Sequence, residues 1–177
     1  MANDKRGKIK NLILDVDGVL TDGQYYYTAE GKAMKAFGPD DHDALLLLKS
    51  LLNICMVTGD KRGFEISRKR VEEDMKFPLH QVSTFDRARW IKDHFDPQET
   101  IYMGDGIFDA AVFDQVAYGI APANAFYKTK ERAHFVTQSR GGDSAVAEAV
   151  AHIFEEFFEP IDFSRVALGR GQGEWGK

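Results

Sequence analysis

The sequence predicts an α/β fold built on a mainly parallel sheet. Short apolar runs that read as buried strands alternate with stretches of helical spacing along 177 residues. Three of those runs stop at residues that carry chemistry: Asp15-Val16-Asp17, Thr58-Gly59, and Gly104-Asp105 with Asp109 four residues on. Sheets of this kind bind ligands beyond the carboxyl ends of their strands, so the three stops are expected on one rim.

The first strand is expected over residues 9–16, where Leu12-Ile13-Leu14 runs into an acid and Gly18 breaks the chain. Residues 24–37 read as a β-hairpin: Tyr25, Tyr26 and Tyr27, a turn at Ala29-Glu30-Gly31, and a return ending at Phe37. Residues 40–52 carry acids in a first turn followed by leucines, the pattern of a helix. A second strand over 54–57 is closed by Thr58-Gly59, and a polar, basic helix is expected over 62–75. A short strand over 81–83 precedes a helix over 87–95, with Trp90, Ile91 and Phe95 at helical spacing. Pro97 marks the turn into a third strand over 100–103. A helix over 107–116, a strand over 117–120, a helix over 125–132 and a short strand over 134–137 continue the alternation. After Gly141-Gly142, residues 143–158 read as an amphipathic helix. The stretch "GRGQGEWGK" lacks the strand and helix that would flank a phosphate loop and is expected to be a flexible tail.

Composition narrows the function. A hydrophobic fraction of 44% and a charged fraction of 29% describe an ordinary soluble domain with enough chain for a real core. The net charge of −5 and the dispersed basic residues speak against a nucleic-acid partner. The longest apolar stretch, residues 44–48, is far too short to span a membrane. The polar opening MANDKRGKIK has no signal-peptide pattern, so a cytoplasmic location is expected. The lone Cys55 lies between Ile54 and Met56, fits a reducing compartment, and reads as a buried structural thiol.

Gathered carboxylates repel one another and raise each other's pKa. A hard divalent cation relieves this, and an all-oxygen set suits Mg²⁺ beside a phosphate. Asp15 and Asp105 are the metal-ligand candidates; Asp109 either ligates directly or holds a metal-bound water. Asp15, fixed at a strand end, is the candidate nucleophile, giving an aspartyl-phosphate. Asp17 is placed to protonate the leaving alcohol and then activate water. Thr58 and the Gly59 amide offer neutral donors to phosphoryl oxygens, and a cation is needed to complete the cradle. Arg87 is the first candidate, with Arg89 and Lys92 behind it.

Each feature also has a plain structural reading. Asp beside Gly forms turns, Asp109 is placed to cap a helix, and Arg87 fits a solvated helix surface. The three motifs in order favour chemistry over turns. His42, His80, His94, His134 and His152 show no metal-ligand spacing.

"DVDGVLTDG", "VTGD" and "MGDGIFD", in this order, resemble the haloacid dehalogenase-like phosphohydrolases. The resemblance implies Asp15 as nucleophile, Asp17 as general acid and base, Thr58 and a Lys or Arg at the phosphate, and Asp105 and Asp109 at Mg²⁺. It adds the backbone carbonyl of Asp17 to the metal ligands. "DVDGVLTDG", the hairpin leading to "KAF", "GIAPANA" and the "GG…AV" before the last helix are similar to the small phosphatases of this family typified by 3-deoxy-D-manno-octulosonate 8-phosphate phosphatase. That likeness covers residues 9 to about 155. It implies a Rossmann-like three-layer sandwich with a protruding hairpin, a homotetramer whose hairpins wall neighbouring sites, and a role in lipopolysaccharide or capsule carbohydrate synthesis. The short spacer between Asp17 and Thr58 leaves no room for a separate cap domain. A single domain over 1–163 and a tail over 164–177 are expected.

Three positions depart from that pattern. Asp60 follows Gly59 where Arg is usual, Ala147 stands where Arg is usual, and His42 follows Asp41 where Gly is usual. A sugar-acid carboxylate calls for such cations. Lys61, Arg62, Arg140 and, in the tail, Arg170 are the candidates to replace them. The expected substrate is a small phosphorylated sugar or sugar acid, of the octulosonate 8-phosphate or nonulosonate 9-phosphate type, with another sugar or polyol phosphate as the alternative. A catalytically idle assembly domain is the competing reading. A signalling receiver domain fits less well, because here the acidic motif opens the chain, and a mutase would need a cap.

Overall fold

The computed structural model describes residues 7–165. Among them, six strands form one sheet, and every neighbouring pair is parallel. The elements in chain order are β1 (Asn11–Asp15), a hairpin of β2 (Tyr26–Thr28) and β3 (Gly31–Met34), and α1 (Asp40–Leu48). They continue as β4 (Asn53–Thr58), α2 (Phe64–Arg68), β5 (Leu79–Gln81), α3 (Arg87–His94), β6 (Thr100–Met103) and α4 (Asp109–Phe113). Then come β7 (Tyr118–Ala121), α5 (Tyr127–Lys130), β8 (Phe135–Val136) and α6 (Ala145–Phe157). The sheet order is β5-β4-β1-β6-β7-β8. The strands that follow β1 pair on one side of it, through β4 and β5, before the chain returns to its other side at β6. The end of β1 is therefore the topological switch point, where open α/β sheets form their crevice.

Three layers follow from the alternation of side chains along each strand. Leu12, Leu14, Met56, Ile101 and Met103 pack with Leu45 and Leu48 of α1 and Val150 and Ile153 of α6. Ile13, Cys55, Val57 and Tyr102 face the other way, onto Ile91 of α3 and Val112 and Phe113 of α4. Each such aliphatic side chain contributes about 1.5–3 kcal/mol on burial. Asp41, buried in α1, reaches across to α6 and accepts the Ala147 N–H at 3.0 Å. It thereby satisfies a donor that the first turn of a helix leaves unpaired. Cys55 is buried and free, as its apolar flanks predict, and burial pushes its thiol up to about 12.

The expected α/β alternation and hairpin hold, with local shifts, and among the described residues the strands form only the six-stranded sheet and the hairpin. The strand expected over 81–83 lies two residues earlier. Met56 pairs with Leu79 and donates to the Pro78 carbonyl at 2.9 Å, so the apolar Leu79, not Ser83, sets the register. The helix expected over 62–75 is α2 followed by a wider turn at Lys69–Asp74. The helix expected over 107–116 contracts to Asp109–Phe113, because Ile107 and Phe108 belong to the loop that turns over the strand end. The tail expected from residue 164 lies almost wholly outside the described residues.

Candidate active site

At the end of β1 the chain enters a wide turn, Val16–Leu20, closed by the Thr21 N–H donating to the Val16 carbonyl at 3.1 Å. Gly18 sits in it at φ +86°, and a Cβ there would run into the Asp105 carboxylate. The missing side chain lets the β6 loop close on the β1 loop. Gly141 is held in the same way: a Cβ there would meet the Gly18 carbonyl. Asn124 ties the two loops by donating to Gly18 O at 2.9 Å and accepting the Gly141 N–H at 2.6 Å.

This packing brings Asp15, Asp105 and Asp109 together, with one oxygen of each within 4.8 Å of the others. Asp15 Oδ1 accepts the Val16 N–H at 2.8 Å, and Asp109 Oδ2 accepts the Gly106 N–H at 2.8 Å. Burial is the main force on the first two acids. It drives Asp15 up to about 7 despite the opposing Arg87 charge, with Asp109 and Asp17 adding to the rise. It drives Asp105 up to about 8, reinforced by repulsion from Asp15 and Asp109. The donor set fits a hard divalent cation: three carboxylates, no nitrogen or sulfur, and a repulsion that such an ion would relieve. Set against the one guanidinium beside them, the three carboxylates leave a formal charge of −2, matching one divalent ion.

That guanidinium belongs to Arg87, the buried first residue of α3. Its Nη1 donates to Asp15 Oδ2 at 2.6 Å, to the Tyr102 hydroxyl at 2.8 Å and, more weakly, to Asp109 Oδ1 at 3.4 Å. Tyr102 in turn donates to Asp109 Oδ1 at 2.8 Å. Nε and Nη2 of Arg87 find no acceptor among the described residues. Arg89, the alternative cation, is largely exposed and pairs with Asp93, and Lys92 is exposed, so neither is drawn into the acidic cluster.

Asp17 stands apart from the three clustered acids. Its Oδ2 accepts the Thr58 hydroxyl at 2.9 Å, which places the stops of β1 and β4 side by side. Its Oδ1 forms an ion pair at 2.7 Å with Lys35, whose side chain is wholly buried. Lys35 also pairs with Asp60 at 2.9 Å and donates to Ser67 Oγ at 2.8 Å. Lys32 reaches the same Asp60 oxygen at 2.5 Å, and its ammonium lies 3.3 Å from the centre of the Tyr25 ring. Burial alone would raise Asp60, but the two ammoniums and the Gly63 N–H outweigh it and hold it at about 2.

The lysines of the hairpin are what reasoning from the sequence missed. Lys61, Arg62 and Arg140, named as replacement cations, are exposed, and Arg170 lies outside the described residues. The signal was present in Lys32 and Lys35, three residues apart on the returning arm of the hairpin, which leads back toward the first motif. Tyr25 is drawn to the mouth of the site, where burial and the charges of Asp17 and Asp60 push its phenol above the ordinary range. Tyr25 nonetheless stays exposed, as do Tyr26, Tyr27 and Met34.

The chain is similar to known proteins over most of its length. Residues 92–150 match the family model described as haloacid dehalogenase-like hydrolase. The 3-deoxy-D-manno-octulosonate 8-phosphate phosphatase of Salmonella typhi is 31% identical over 154 residues, covering 81% of this chain and 78% of the relative. A probable YrbI family phosphatase from Pseudomonas syringae superposes with a TM-score of 0.79 at 25% identity, covering 95% of this chain and 97% of that one. A 3-deoxy-D-manno-octulosonate 8-phosphate phosphatase from Moraxella catarrhalis, solved with magnesium, phosphate and the sugar acid, superposes with a TM-score of 0.72 at 27% identity. It covers 86% of this chain and 90% of that one.

The similarity in sequence and in fold makes this chain a member of the haloacid dehalogenase-like hydrolases. Within that family it falls among the phosphatases, as a phosphoric monoester hydrolase. No helix among the described residues is long and apolar enough to cross a membrane.

Proposed function

We propose that the chain is a Mg²⁺-dependent phosphomonoesterase that works through an aspartyl-phosphate on Asp15. Its proposed substrate is a small phosphorylated sugar or sugar acid of the octulosonate 8-phosphate or nonulosonate 9-phosphate type. The observation that carries the reading is the meeting of Asp15, Asp105 and Asp109 at the end of β1.

Asp15, Asp105, Asp109 and the Asp17 carbonyl would hold Mg²⁺, Asp109 either directly or through water; the ion would neutralise charge on the phosphoryl oxygens. Arg87 and the Val16 N–H fix the Asp15 carboxylate, so that it meets phosphorus with little reorganisation. Its oxygen bonds to phosphorus as the ester oxygen leaves, and Asp17 gives that oxygen a proton. Water then attacks the same phosphorus and loses a proton to Asp17, and the Asp15–phosphorus bond breaks to release phosphate. Thr58, the Gly59 amide and the spare donors of Arg87 would bind phosphoryl oxygens.

A second reading, another small sugar or polyol phosphate, is favoured by Asp60, which neutralises the hairpin lysines where a carboxylate-bearing substrate would need them. The exposed hairpin aromatics support a homotetramer, and the free Cys55 supports a cytoplasmic enzyme. A phosphate-release screen over phosphorylated sugar acids, sugars, polyols and nucleotides with Mg²⁺ tests the function. Turnover confined to sugar-acid phosphates supports the first reading, turnover of neutral sugar or polyol phosphates supports the second, and none at all overturns both. Light scattering tests the assembly, and a monomer at micromolar concentration would refute the tetramer.

A further inference from the structure

The hairpin is a two-stranded sheet of its own, and such hairpins hold little stability in isolation. Two contacts dock it beside the site at its base: the Thr21–Phe37 bridge and the Asp22 N–H to the Ala36 carbonyl at 3.3 Å. Beyond them, Lys32 and Lys35 carry it onto Asp60 and Asp17. Burying an ammonium is costly, and replacing buried ion pairs with apolar side chains is often neutral or better for stability. Two buried lysines on the returning arm of one hairpin, Lys32 in β3 and Lys35 just past it, therefore call for a role beyond holding it down.

We propose that Lys35 is a positioning residue for proton transfer, fixing the Asp17 carboxylate from behind through Oδ1, with Asp60 and Lys32 holding Lys35 in turn. The inference rests on Asp17 being the general acid. The two oxygens of Asp17 are held differently. Oδ2 rests on the Thr58 hydroxyl, a group that a bound phosphate would claim, whereas Oδ1 rests on an ammonium also held by Asp60 and Ser67. When Thr58 turns to the phosphate, Oδ2 is released toward the departing ester oxygen while Oδ1 stays anchored. The run Tyr25–Lys32–Asp60–Lys35–Asp17 makes the placement of the acid depend on how the hairpin is docked. It also gives Asp60 a task here that the usual Arg would not perform.

The test is a leaving-group series. Wild type, Lys35→Met, Lys35→Arg and Asp60→Asn are compared on p-nitrophenyl, phenyl and benzyl phosphate with saturating Mg²⁺. A general acid matters little when the leaving oxygen is a good leaving group and greatly when it is poor. Lys35→Met should lose about thirtyfold or more in kcat/KM on benzyl phosphate and less than about threefold on p-nitrophenyl phosphate. Asp60→Asn should show the same slope in weaker form, even if Lys35→Met folds poorly, and Lys35→Arg should recover most of the loss. Equal losses on all three esters, or none, would overturn the positioning role while leaving the phosphatase reading intact. Turnover of no ester by wild type would instead overturn the phosphatase reading, and this inference with it.

Discussion

Arg87 Nη1 lies 2.6 Å from Asp15 Oδ2, and neither residue has appreciable contact with solvent. The pair joins the first residue of a helix to the last residue of a strand 72 positions earlier. It holds the proposed nucleophile in one orientation and supplies the positive charge that lets three carboxylates approach.

Removing that charge should be costly. Arg87→Met leaves Asp15 and Asp109 buried without their cation, and breaking a buried pair from one side typically costs about 3–5 kcal/mol. The double variant Arg87→Met/Asp15→Asn should lose clearly less than the sum of its single variants, because the orphaned charge is gone. Urea unfolding of the three variants with EDTA present measures this. Additive losses would show that the pair is not coupled.

The pH dependence has a defined sign. Asp15 at about 7 and Asp105 at about 8 both stand above the ordinary carboxylate range, so the folded metal-free protein takes up protons that the unfolded chain does not. Their contribution to stability is present at low pH and is lost as pH rises through about 7 to about 8. Thermal unfolding in EDTA should therefore show a lower Tm at about pH 8.5 than at about pH 6. Added Mg²⁺ should raise Tm more at the higher pH, where no proton has to be displaced. A Mg²⁺ effect that is equal at both values would argue against these acids as ligands.

Gly18 offers a test that touches no charge. Gly18→Ala places a methyl group into the Asp105 carboxylate and holds an L-residue at φ +86°, a conformation that costs of order 1–3 kcal/mol. The larger consequence should be displacement of Asp105, seen as a sharply reduced Mg²⁺-induced rise in Tm. Gly31→Ala also sits at positive φ but meets nothing nearby, and it should keep the full response.

What could be read from the sequence, and what could not, divides by range. The strands, the order of the motifs and the acids at the strand ends follow from local apolar runs and their terminators. Asp15, Asp105 and Asp109 were legible for that reason, and the structure brings them together. Arg87 was legible as a cation on the right helix, but its burial beneath Asp15 depends on Tyr102 and Asp109, contacts that no local pattern encodes. Lys32 and Lys35 were hidden because a hairpin lysine reads as a solvated face. Only the fold-back of the hairpin onto Asp60, 28 and 25 positions on, makes them buried partners of the site. The short strand at Leu79–Gln81 was misplaced because three residues give too little alternation to fix a register.

The roles proposed for the two acids of the opening motif separate under substitution. Asp15→Asn keeps the size of the side chain and its place beside Arg87 but removes the nucleophilic carboxylate. Phosphate release should fall by roughly 10⁴-fold or more, the scale of losing a covalent nucleophile, and no acid-stable phosphoryl-enzyme should form. Asp17→Asn leaves Asp15 able to attack but withholds the proton, so turnover should fall by about 10²–10⁴-fold. Because the second step also needs Asp17 as base, the phosphorylated form should accumulate with an activated ester such as p-nitrophenyl phosphate. Quenched-flow with radiolabelled ester distinguishes the two variants: label retained on Asp17→Asn and absent from Asp15→Asn. Label on neither, with wild type turning over normally, would show that the reaction does not pass through an aspartyl-phosphate and that water attacks the phosphate directly.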